Sequence, residues 1–110
     1  MVRLIIISLS LLFMPLASSG DTFDKISAIL MYEQAGLVYI YPEGGVQNPP
    51  SCQAPNVNYL SFKLARPMGK EYLSVLMMAF SLQKKVYFRT ARDCVDQSTS
   101  DTILYFRVMN

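Results

Sequence analysis

The sequence predicts a mainly β domain in the order β-β-β-α-β-β, on three observations. Five stretches of five to nine residues alternate apolar with polar positions or are rich in β-branched and aromatic types. One stretch, residues 70–83, changes to a helical period. Clusters of Gly, Pro, Asn and Ser separate the others.

Taken in order, KISAILMYE (Lys25 to Glu33) reads as a first strand. Gln34-Ala35-Gly36 supplies a turn, with Gly36 free to take a positive φ. LVYIY (Leu37 to Tyr41) is a second strand, ended by Pro42. Residues 43–57, EGGVQNPPSCQAPNV, hold no periodic element and read as a long loop. NYLSFKLA (Asn58 to Ala65) sets Leu60, Phe62 and Leu64 against Tyr59, Ser61 and Lys63, a strand with one buried face. Pro67 ends it. From Lys70 to Gln83, Leu73, Leu76, Met77 and Phe80 fall at i, i+3, i+4 and i+7, one face of a helix. KVYFRTA (Lys85 to Ala91) and TILYFRVM (Thr102 to Met109) are the last two strands, joined by a polar loop, Arg92 to Asp101. Five strands with one helix between the third and fourth is the connectivity of the OB-fold, a five-stranded barrel. An α+β sandwich of the same elements is the structural alternative.

Residues 1–20 read as a secretory signal. Arg3 precedes an apolar run, Leu4 to Phe13, and Ala17-Ser18-Ser19-Gly20 offers small residues for cleavage after Ser19 or Gly20. The run is shorter than the roughly 20 residues that span a bilayer, and no membrane span is expected after cleavage. Residues 21–110 are then one domain, exported to the periplasm or beyond. In an oxidising compartment Cys52 and Cys94 are expected to pair. The bridge closes a 43-residue loop, which the loop-entropy argument values at about 4 kcal/mol.

Composition narrows the function. The chain has no His, which excludes His-based catalysis and His-ligated metals. Residues 21–110 carry nine Lys and Arg against eight Asp and Glu, too even for a nucleic-acid binder. The carboxylates are scattered, with no acid and base pair on one element, so no enzyme activity and no cofactor are expected. Asp93, Asp96 and Asp101 superficially resemble a calcium loop but lack its Gly and terminal Glu. A solvated connection is the better reading of that segment.

If Val38, Ile40, Leu60, Phe62, Val86, Phe88, Leu104, Phe106 and Val108 point inward, period two sends Tyr39, Tyr41, Tyr59, Tyr87 and Tyr105 outward. Those are five of the seven tyrosines, interleaved with Lys63, Arg89 and Arg107. A tyrosine offers a flat apolar face and a hydroxyl, which suits sugar stacking, protein interfaces and base stacking alike. Tyr39, Tyr41, Tyr59, Tyr87 and Arg89 are therefore the candidate ligand residues; cross-strand pairing that only stabilises the sheet is the competing reading. The helix is also apolar at Tyr72, Val75, Met78, Ala79 and Leu82. Its second side either meets another copy of the chain or lies deep between barrel and loops.

VYIYPE, a Pro-rich loop with Cys52, YLSFKLARPMGKEYLSVLMMAF, KKVYFRT, Cys94 and ILYFRV together resemble small exported bacterial proteins similar to the B subunits of AB-type toxins, the subtilase-cytotoxin and pertussis-like kinds. The resemblance implies an OB-fold carbohydrate-binding subunit, ring-forming through its helix. The expected function is a non-catalytic module for a glycan or cell-surface receptor. A periplasmic protein-interaction, assembly or inhibitor subunit is the alternative.

Overall fold

The computed structural model describes residues 21–110; the signal-segment reading lies outside these residues. Six strands and one helix follow in the order β1 (Asp21–Asp24), β2 (Ile26–Tyr32), β3 (Leu37–Pro42), β4 (Leu60–Lys63), α1 (Gly69–Ser81), β5 (Lys85–Thr90) and β6 (Ile103–Met109). The architecture is mainly β: two antiparallel three-stranded sheets, ordered β1-β5-β6 and β2-β3-β4, with one helix.

This corrects the expected five-stranded closed barrel. The expected first strand is β2 alone, and an unexpected strand, β1, precedes it: the chain breaks at Lys25 and delivers β1 to one sheet and β2 to the other. β1 itself, DTFD, is too short and polar to signal a strand. It forms because β5 offers it a partner, with Thr22 buried opposite Phe88. At the other seam β4 meets the start of β6 through one parallel bridge, Ser61 to Thr102. The sheets touch there without closing into a barrel.

Between β2 and β3 a short 3-10 turn, Glu33–Ala35, ends at Gly36 with φ 62°, where the sequence placed its turn. The core gathers Ile26, Val38, Ile40, Leu60, Phe62, Leu76, Ala79, Val86, Phe88 and Ile103. The expected inward set holds except at the last strand. Arg89 pairs Tyr105 and Thr90 pairs Ile103, so Leu104 is an extra residue in a bulge. Ile103 turns inward, and Leu104 is left 44% exposed. Phe106 and Val108 pack on the edge of the core.

The helix buries Leu76 and Ala79 and rests Leu73, Phe80 and Tyr72 against the core. Tyr72 stands edge-on between Phe62 and Phe106, and its hydroxyl donates to the Leu104 carbonyl at 2.7 Å. Met77, expected on the buried face, is exposed, as are Val75, Met78 and Leu82 on the outer side. Among the described residues no helix is long and apolar enough to cross a membrane.

Candidate functional site

Disulfide Cys52–Cys94 ties the loop after β3 to the loop before β6, as the cysteine arithmetic predicted. Around it the two loops are stitched by polar contacts. The Ala54 N–H donates to the Thr99 carbonyl, and the Asp101 N–H donates to Gln53 Oε1 at 2.7 Å. Thr102 Oγ1 accepts the N–H groups of Val95 and Asp96, and Asp96 Oδ2 accepts the Lys63 N–H. Residues 92–101 are thus fastened to the protein body rather than forming a solvated link. Among the described residues no three Asp, Glu or Cys side chains gather where a metal could sit.

Asp101 is the buried centre of this fastening. Its carboxylate accepts the Thr90 hydroxyl at 2.6 Å and the Asp93 N–H at 3.1 Å. Burial raises its pKa, opposed by hydrogen bonds from Thr90, Asp93, Thr102 and Arg92. The protonated form is therefore favoured by folding. That contribution is full below the ordinary carboxylate range and is lost as pH rises through the raised value. Asp101→Asn, which keeps an acceptor for Asp93 without the charge, is expected to gain most over the wild type at pH 7. Thermal melts should show that gain shrinking toward pH 3. Asp101→Ala, which strands the Asp93 N–H and removes the carboxylate that accepts from Thr90, should lose about 2 kcal/mol.

The fastened loop places Gln97 over the outward face of the β2-β3-β4 sheet. Its Nε2 donates to the Tyr39 hydroxyl at 2.8 Å and the Tyr59 hydroxyl at 3.0 Å, and its Oε1 accepts from Ser100. Tyr39 and Tyr59 lie stacked, centroids 4.1 Å apart and planes 15° from parallel. Tyr32 extends the row beyond Tyr39, and Tyr41 tilts against Tyr59 at 5.3 Å. Burial, then neighbouring Tyr59, raises the pKa of both Tyr39 and Tyr41. These hydroxyls keep their protons as donors.

The five candidate ligand residues therefore split. Tyr39, Tyr41 and Tyr59 stand together on one sheet. Tyr87 and Arg89 belong to the other, where the Tyr87 hydroxyl donates to Asp21 at 2.6 Å and Arg89 pairs with the same carboxylate at 3.4 Å. Within the first group, Tyr39 and Tyr59 spend their hydroxyls on Gln97 and one ring face on each other, which favours the stabilising reading for that pair. Tyr41 is different. It lines an open cleft of about 420 Å³ with Ser27, Pro42, Glu43, Gly44, Gly45 and Asn58.

The turn Pro42 to Gly45 builds one side of this cleft. Gly45 takes φ 84° and donates to the Pro42 carbonyl, while the Gly44 N–H donates to Asp24 Oδ2 at 2.6 Å. Ser27 closes the side next to β2, its hydroxyl on the Tyr41 carbonyl. The Tyr41 hydroxyl and the Glu43 and Asn58 side chains make no hydrogen bond to other described residues.

No family model, curated protein or solved structure matches this chain. The site must be read from its own chemistry.

Ser27, Glu43, Asn58 and Gln97 were not singled out in the sequence. For the first three no local signal exists, since they meet only when the β2-β3 hairpin and the start of β4 align. Gln97 had a faint one: a glutamine three residues from a disulfide cysteine lies on a loop that cannot move away.

Proposed function

We propose that residues 21–110 form an exported, non-catalytic module that binds a glycan, free or on a surface receptor, in the Tyr41 cleft. One observation carries this reading: an aromatic wall and three unengaged polar groups share one open cleft. A pyranose ring needs that combination, an apolar face to lie against and hydrogen-bond partners at its rim. Asn58 offers both donor and acceptor, Glu43 accepts, and the Tyr41 hydroxyl does either.

The finer fold assignment belongs with this reading. The strand order, the passage of consecutive β1 and β2 into different sheets and the parallel Ser61–Thr102 bridge support an open OB-like arrangement. The cross-loop disulfide supports export to an oxidising compartment. The exposed stripe Val75, Met78 and Leu82 on α1 supports self-association through the helix, which light scattering of purified protein would register as a mass above the monomer.

A glycan array probed with disulfide-bonded residues 21–110 tests the main reading. Exposed Glu43 and Asn58 separate binding from folding. Glu43→Ala with Asn58→Ala should weaken the best glycan by about tenfold or more, with the melting temperature nearly unchanged. A silent array would contradict the proposal.

The second reading, a protein-interaction or assembly subunit, is favoured by Leu30 and Tyr32, both more than 40% exposed beside Tyr39. A silent array together with one partner in a pull-down that Tyr32→Ala abolishes would select it.

A further inference from the structure

The outward face of the β1-β5-β6 sheet has a chemistry of its own. Register places Phe23, Tyr87 and Arg107 in one row, Asp21, Arg89 and Tyr105 in the next, and Lys85 beside Met109 at the far end. The inward partners Val86, Phe88 and Thr90 are buried, so these residues face out. Lys85, Arg107 and Arg89 form a zigzag, each cation diagonal to the next across the strand pair. Such diagonals are roughly 7–8 Å.

Three cations against the single acid Asp21 give the face a charge of +2. Residues 21–110 net only +1, so the rest of the surface is negative overall. The positive charge is concentrated here. It is also held in place: Arg107 lies 5.0 Å over the Tyr87 ring, Lys85 5.3 Å over Phe23, and Arg89 is anchored by Asp21. Side chains already ordered lose less freedom when a ligand arrives.

We infer that this face binds a linear polyanionic polysaccharide, through Lys85, Arg107 and Arg89, with Phe23 and Tyr105 as stacking surfaces on either side of them. Complementary charge sets the class, and the alternation sets the type. Phe23 and Tyr105 are about half exposed, 43% and 51%, and each neighbours a cation. A sugar chain presents apolar ring faces and anionic groups in turn and can use both. A flat sheet face lacks the projecting apolar ridge of a membrane-surface helix. This site shares no residue with the Tyr41 cleft, so either can fail without the other.

The test uses disulfide-bonded residues 21–110 and heparin, titrated by calorimetry at two salt concentrations. Heparin should bind, more weakly as salt rises. Arg107→Gln with Lys85→Gln should reduce affinity by about tenfold or more and lower the salt slope by about 2. Lys63→Gln with Lys70→Gln, which removes the same charge elsewhere, should change affinity by less than about twofold. On the unaltered protein, amide NMR shifts upon heparin addition should concentrate at residues 85–89 and 105–109. No heparin binding, equal losses from the two double variants, shifts spread over the surface, or binding to phosphatidylglycerol vesicles in place of heparin would each overturn the inference.

Discussion

Replacing both Cys52 and Cys94 by serine should cost about 4 kcal/mol of stability, read as a loss in the urea-unfolding free energy. The bridge closes a 43-residue loop, and the unfolded chain regains that freedom once it is cut. Native domains are stable by only about 5–15 kcal/mol in all. The melting temperature should therefore fall by roughly 15–30 °C, at about 4–8 °C per kcal/mol for a domain of this size. The effect also has a place in the structure. The bridge, the Ala54–Thr99 backbone bond and the Gln53–Asp101 contact hold the two loops together. Gln97, which fixes Tyr39 and Tyr59, rides on one of those loops. The serine variant should thus lose tyrosine-row order before it loses the α1 packing, visible as near-ultraviolet dichroism fading ahead of the far-ultraviolet signal. A loss below about 1 kcal/mol would mean the unfolded chain is already held compact by other contacts.

Gly69→Ala should be the most damaging glycine-to-alanine change among the described residues. By helix propensity alone, alanine near a helix start is better than glycine by up to about 1 kcal/mol. The packing says otherwise. A Cβ at residue 69 would stand 2.1 Å from the Leu64 carbonyl oxygen and 2.7 Å from its carbon, both backbone atoms. The chain that leaves β4 must move away or α1 must lift. Overpacking of that kind costs roughly 1–3 kcal/mol and occasionally more, and a backbone obstacle belongs at the upper end. The net expectation is a loss of about 2 kcal/mol or more, measured by the same urea titration. Gly36→Ala is the comparison: nothing lies within 4 Å, and only its positive φ opposes the change.

The disulfide and Gly69 mark where the sequence was readable and where it was not. Cysteine pairing was legible from a count of two and the expectation of export. The helix and β3, β4 and β5 follow from period, since Val38, Ile40, Leu60, Phe62, Val86 and Phe88 turn inward where alternation places them. The need for glycine at 69 has no local trace, because Leu64 lies across a turn whose path only the fold defines. β1 was invisible for a similar reason. A strand reading DTFD exists by virtue of its partner β5, not of its own pattern. Leu104 misled because a bulge adds one residue to the count, and alternation carried past a bulge reverses. Outward tyrosines were legible as a set. Their division between two sheets was not, since period two gives the face of a strand but not the sheet it joins. Ser61 went further against its pattern. It is buried on the supposed open side because Ser100 and the fastened loop cover it.

The most direct test of the proposed function is an NMR titration of the disulfide-bonded domain with the strongest uncharged glycan from an array. The account predicts saturable shifts at the Tyr41 ring, the Asn58 side-chain amide and the Ser27, Gly44 and Gly45 amides, with Tyr39 and Tyr59 nearly still. Saturable binding whose shifts lie away from residues 27, 41–45 and 58 would contradict it.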